Sequence, residues 1–175
     1  DGTTNYLFGH TKFSISLALY ASEKPIYANV YIPADSEMFT AHKSGAFLNG
    51  KKFISPTHRS LVDSLIATGF PYYNFNEMEA YINVLQELMQ KTKGLRRMGS
   101  AAIDLAYTAY GRFDAFYELN LSPWDVAGGA YLVQQANGII TDFEGNNNYV
   151  FGNSILAGSS IVYKDMKAII DQHNF

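Results

Sequence analysis

The sequence predicts a layered protein of mixed α and β structure, with an antiparallel sheet in the first third and strands alternating with helices in the remainder. Three observations lead there. Short runs that alternate apolar with small or polar residues fill Phe13 to Lys52; apolar residues recur at helical spacing between residues 76 and 93; beyond them, short apolar segments alternate with stretches rich in small residues. The expected division is an N-terminal sheet subdomain over residues 1–60 and a C-terminal α/β subdomain over residues 61–175.

Taken in order, "FSISLALY" reads as a strand, "ASEK" breaks it, "PIYANVYI" resumes it and "PADS" breaks it again. "EMFTAHK" follows, and then "GAFLNGKKF", in which Asn49-Gly50 supplies the two residues a tight hairpin prefers. "IATGF" is a short apolar segment. In "NEMEAYINVLQELMQKTK" the residues Met78, Tyr81, Ile82, Leu85, Leu88 and Met89 share one helical face, and Gly94 stands where a helix would stop. "GSAAIDLAYTAYG" reads as a helix, "RFDAFYEL" as a strand, "SPWDVAGGAYLVQQA" as a helix, "GIITDFEG" and "SILAGS" as strands, and Tyr163 to His173 as a closing helix. "EGNNNYVFGNS" is the one polar, turn-rich loop.

Composition narrows the function. Of the 175 residues 47% are hydrophobic and 17% charged, a balance that buries a core and argues against disorder. The formal charge is −3 and no run of Lys or Arg exceeds a pair, so a nucleic-acid polymer is not an expected partner. Absence of cysteine removes disulfide, thiolate and zinc-finger chemistry. No run reaches the roughly 18 apolar residues of a membrane span, so a cytoplasmic protein without a membrane partner is expected. Aromatic residues are abundant and read as core, except the single Trp124, which stands beside an acid.

Two segments hold the candidate chemistry. In "YELNLSPWDVAGG", Glu118 ends a strand and Asp125 falls in the first turn of the next helix, so both acids sit at one end of a sheet, where open α/β sheets bind ligands. Each also has an ordinary structural reading: Asp125 as a helix cap, Glu118 as a solvated strand-end acid. In "DGTT", Asp1 offers a carboxylate to a metal ion, Gly2 allows close approach of backbone N–H groups to a phosphate, and a Thr hydroxyl is placed to hold a metal-bound water. Asp-Gly is also a common turn.

Together, Asp1-Gly2-Thr3-Thr4-Asn5, Gly99-Ser100-Ala101-Ala102 and Glu118 with Trp124-Asp125-Val126-Ala127-Gly128 resemble the inositol monophosphatase family in order and spacing, over essentially the whole chain. The resemblance implies an α-β-α-β-α layered sandwich and a Mg2+-dependent, lithium-sensitive phosphomonoesterase, usually a homodimer, acting on inositol phosphates or related small phosphates. It implies that Asp1 and Asp125 share a metal ion, that Gly2 and Thr3 bind phosphate, that Glu118 contacts substrate hydroxyls and that Ser100 and Ala101 line the same pocket; Asp1, Thr3 and Asp125 are the expected catalytic residues. Carboxylates without His or Cys suit Mg2+. His10, His42, His58 and His173 are scattered and read as structural or surface groups.

In the family, the DGT motif ends a longer acidic motif, Asp-Pro-x-Asp-Gly-Thr, and a metal-binding Glu comes earlier still. Both would precede residue 1, together with a helical N-terminal region, so the chain alone is expected to supply about half of the metal site and to be inactive. Asn137-Gly138 replaces two glycines, a change that Asn tolerates because it adopts the left-handed conformation. Two other readings remain open: a phosphatase of the same superfamily acting on 3'-phosphoadenosine nucleotides or fructose 1,6-bisphosphate, which a second, basic pocket would favour, and a non-catalytic fragment or degenerate phosphate-binding homologue.

Overall fold

Helix α4 (Pro123–Gln135) has Gly128 and Gly129 where a larger helix-former would be expected, and the architecture turns on what those glycines touch. In the computed structural model, which describes all residues except 57, 58, 72, 73 and 174, a Cβ at Gly129 would lie 2.4 Å from Leu105 Cβ on α3 (Ala101–Tyr110). A Cβ at Gly128 would lie 3.2 Å from the carbonyl of Leu17 in a neighbouring strand. Two helices and a sheet therefore pack at backbone distance, which only missing side chains allow.

That sheet contains β1 (Ile15–Ala21), β2 (Lys24–Ile32), β3 (Glu37–His42), β4 (Gly45–Leu48) and β5 (Lys51–Phe53) in chain order, every neighbouring pair antiparallel. The β4–β5 hairpin turns through Asn49 (φ 48°) and Gly50 (φ 79°), both left-handed as the dipeptide requires. The segment "EMFTAHK" becomes β3, in the middle of the sheet. Its period is visible only in the structure, where Phe39 and Ala41 are buried while Met38, Thr40 and His42 face outward.

The second sheet joins β6 (Leu65–Thr68), β7 (Gly94–Arg96), β8 (Ala115–Leu119), β9 (Ile139–Thr141) and β10 (Ser154–Gly158) in the order β7-β6-β8-β10-β9. β7, β6 and β8 are parallel; β10 runs antiparallel to β8 and β9. Gly94 thus begins a strand as well as following a helix, a role that three residues are too short to advertise in sequence. Helices α3 and α4 fill the space between the sheets, in a core that includes Val30, Phe39, Leu105, Phe116 and Leu132. Helices α2 (Met78–Lys91) and α5 (Ser160–Ile170) cover the far face of the second sheet, where Tyr81, Leu88, Tyr117, Leu156 and Met166 form a second core. α5 starts three residues before the expected Tyr163.

The described residues thus form four layers, sheet, helices, sheet, helices, of the expected sandwich. On the outer face of the first sheet Ile15, Leu17 and Leu19 are each more than half exposed. Asn137 adopts φ 65° just past the end of α4, the left-handed position the sequence reading assigned to it. No helix among the described residues is long and apolar enough to cross a membrane.

Because the α3–α4 approach leaves no room for a methyl group, Gly129→Ala is expected to destabilise the fold by about 1–3 kcal/mol. Urea denaturation measures this directly.

Candidate active site

A cavity of about 410 Å³ opens at the carboxyl ends of the three parallel strands, where Gly69 follows β6, Arg97 follows β7 and Glu118 lies near the end of β8. From the opposite side it is bounded by the N-terminal turns of α3, of α4 and of the short helix α1 (Thr3–Leu7). Strand ends and helix starts meet here because each crossover leaves the sheet at the same edge. Asp1, Gly2, Thr3, Ser100, Ala101, Glu118 and Asp125, the residues singled out in the sequence, all line this one cavity.

Asp1 is held by groups 1 to 101 residues away. Its amino nitrogen donates to the Ser14 carbonyl at 2.7 Å, and the Ser14 N–H returns a bond to the Asp1 carbonyl at 2.9 Å. Its carboxylate accepts from the Gly2 N–H (2.8 Å), the Ser100 hydroxyl (2.7 Å) and the Ala102 N–H (3.1 Å). Ser100 is the N-cap of α3, so the same hydroxyl that caps the helix also orients the acid. Gly2 is left-handed (φ 82°), and a Cβ there would come within 2.9 Å of the Lys12 carbonyl. Asn5 ties this turn to the α3 approach by donating to the carbonyls of Lys12 (2.6 Å) and Met98 (2.7 Å).

Asp125 fulfils its capping reading without being used up by it. One carboxylate oxygen accepts from the Ser122 N–H at 3.0 Å, and the other has no hydrogen-bond partner among the described residues. Glu118 departs from the solvated strand-end reading: it is 6% exposed, because β8 is a central strand covered on both faces. Burial pushes its carboxyl up to about 8, with Arg97 opposing the shift and Asp125 adding to it. Gly69 makes room for it, since a Cβ at that position would lie 2.0 Å from Glu118 Oε1.

Three contributors were not singled out in the sequence. Asp104, in the first turn of α3, lines the cavity at 1% exposure with Oδ1 unpartnered, and burial together with the nearby Glu118 raises its carboxyl well above the ordinary range. Arg97 is the one basic side chain among the lining residues and lies 5.4 Å from the Phe70 ring centroid. Gly69 is the third. "RRMGS" and the acid four residues after Ser100 were the available signals, but a pair of arginines and an acid in a first turn are ordinary surface features until the fold buries them. Of the histidines, His10 is exposed, His42 stacks on Phe47 and His173 lies 3.0 Å from Glu87; His58 lies outside the described residues.

The donors suit a hard cation only in part. Among the described residues no group of three or more His, Cys, Asp or Glu is placed to hold a metal. Of the four acids lining the cavity, Asp104 and Glu118 are buried, and the two partly open carboxylates are Asp1 and Asp125, the latter with one oxygen that accepts no hydrogen bond among the described residues. That set fits Mg2+, which keeps several waters and commonly takes one or two carboxylates together with substrate phosphate.

The sequence model of the inositol monophosphatase family matches residues 1–173. The chain is 39% identical over 99% of its length to the "Nus factor SuhB" of Pseudomonas aeruginosa and 43% identical over 96% to that of Escherichia coli (strain K12). It spans 65% and 63%, respectively, of the lengths of those proteins. Among solved structures it superposes on the extragenic suppressor protein suhB of Bartonella henselae with a TM-score of 0.93 at 39% identity, over 98% of this chain and 67% of that one. An inositol monophosphatase from Anabaena (Nostoc) gives 0.91 at 31% identity, over 99% and 71%.

Glu118 gives the cavity a measurable pH signature. Its carboxyl is raised in the folded state from about 4.5 to about 8, so the unfolded chain releases the proton first. The contribution to stability is therefore complete below pH 4.5 and is lost as pH rises through 8. Urea midpoints at several pH values in metal-free buffer should show a decline of at most about 1.4 kcal/mol per pH unit from this group, absent in Glu118→Gln.

Proposed function

The chain belongs to the inositol monophosphatase family, and from that premise we propose that the protein hydrolyses a phosphate monoester of a small polyol, inositol monophosphate foremost, with Mg2+ held by Asp1 and Asp125. The observation behind the reading is that two carboxylates, the starts of α1, α3 and α4 and the carboxyl ends of three parallel strands face the same cavity.

The phosphate is placed against Gly2 and Thr3, where the left-handed glycine lets backbone come close, and the positive ends of α3 and α4 favour its charge. Ser100 and the Ala102 N–H hold and aim the Asp1 carboxylate. Asp125 caps α4 with one oxygen, and its other oxygen would hold the ion together with Asp1. The bound ion would supply an activated water and charge neutralisation at phosphorus. Thr3 offers its hydroxyl beside the phosphate, Ser100 and Ala101 form the wall, and Glu118 accepts hydrogen bonds from the hydroxyls of the alcohol. With Arg97 the single basic residue lining the cavity among the described residues, a monophosphate is preferred over fructose 1,6-bisphosphate or a 3'-phosphoadenosine nucleotide. Homodimerisation comes with the family reading. The relatives' name, Nus factor, adds a second reading in which the protein acts by binding a partner, and turnover separates the two.

In a protein that carries the preceding acidic ligands together with this chain, phosphate release in the presence of Mg2+ is expected from inositol monophosphate and weaker from the bisphosphate and the nucleotide. No release from any of them would leave the partner-binding reading. Asp125→Asn keeps an oxygen for the Ser122 N–H, so its melting temperature should stay within about 2 °C. Its kcat should fall by more than about 100-fold, beyond the loss expected from an outer-shell partner.

A further inference from the structure

The Glu118 carboxyl lies against the backbone of Gly69, in the space a Cβ there would fill. Gly69 lies one residue beyond β6, where the parallel ladder to β8 ends at Thr68 opposite Tyr117. Past that pair, side chains take over from the ladder. The Tyr81 hydroxyl reaches through the sheet end from α2 to the Gly69 carbonyl at 2.9 Å; it lies 2.6 Å from the Thr68 hydroxyl, which is itself 3.0 Å from the Tyr117 carbonyl. Tyr81 and Tyr117 are fully buried and Thr68 is 2% exposed, so no water replaces these bonds if one hydroxyl is removed.

We propose that Tyr81 is a positioning residue for substrate recognition: its hydroxyl, through the Gly69 carbonyl and Thr68, fixes the backbone on which the Glu118 carboxylate rests and so sets the register between that carboxylate and the hydroxyls of the substrate alcohol. The proposal rests on the cavity being a polyol-phosphate site. A helix on the outer layer thereby adjusts specificity without touching the substrate. Gly69 is required in the same arrangement, because any side chain there would displace the carboxylate.

The test compares Tyr81→Phe with the wild type at saturating Mg2+ on inositol monophosphate and on phenyl phosphate, an ester without free hydroxyls, together with the side-chain carboxyl 13C resonance of Glu118. Expected are a KM for inositol monophosphate raised by about 3–10-fold, as for loss of one hydrogen bond, with kcat within twofold and the phenyl phosphate constants unchanged. The Glu118 resonance should move while that of Asp125 stays. Equal losses on both esters, or an unmoved Glu118 resonance with only a lower melting temperature, would reduce Tyr81 to a structural staple. If the wild type hydrolyses neither ester, the phosphatase reading falls, and the Glu118 resonance still decides the positioning role. Should Tyr81→Phe not fold, Thr68→Val, which removes the other hydroxyl at nearly constant shape, is read by the same measurements.

Discussion

The close approach of α3 and α4 is the constraint on which the rest of the molecule depends. With no side chain at Gly129, Leu105 rests directly on the neighbouring helix, and with none at Gly128 the first sheet reaches the same helix from the other side. The pair becomes a thin, rigid slab against which both sheets pack. Its two helices start at the same end of the molecule, and there they meet the ends of β6, β7 and β8. A cavity with positive helix ends on one side and open strand ends on the other follows from that geometry.

The same geometry explains the electrostatics. Asp1 and Asp125 sit at helix starts, accept backbone N–H groups and remain partly open. Asp104 and Glu118 lie deeper, nearly devoid of solvent, and burial raises both carboxyls while Arg97 opposes the shift. The cavity thus separates an outer, partly open pair of acids from an inner, buried pair. The division comes from depth below the surface, since all four residues are carboxylic acids.

Much of this was legible in the residues themselves. The Asn49-Gly50 turn, the helical faces of α2 to α4 and the left-handed Asn137 each follow from local stereochemistry, which needs no distant partner. "DGTT" and "SPWDVAGG" likewise point to the family, because the two segments occur together in its order and spacing. β3 was harder, since an apolar Met38 stands on its outward face and only Phe39 and Ala41 are buried on the inward one. β7 was invisible, because three residues hold no period and a parallel partner is needed to make them a strand.

What the sequence determined by itself was the family resemblance and most of the secondary elements, because both depend on residue type and near neighbours. Depth and distance were decided by the tertiary structure alone. Glu118 reads as a solvated acid until β8 is covered on both faces, and Asp104 reads as a first-turn acid until the second sheet buries it. Nothing in "IATGF" or in the α2 face says that Gly69 will support a carboxylate or that Tyr81 will reach its carbonyl, since those contacts join residues brought together only by strand order. Burial and contact are properties of the assembled layers, and they brought a set of acids scattered along the chain into one cavity, two of them partly open and two buried.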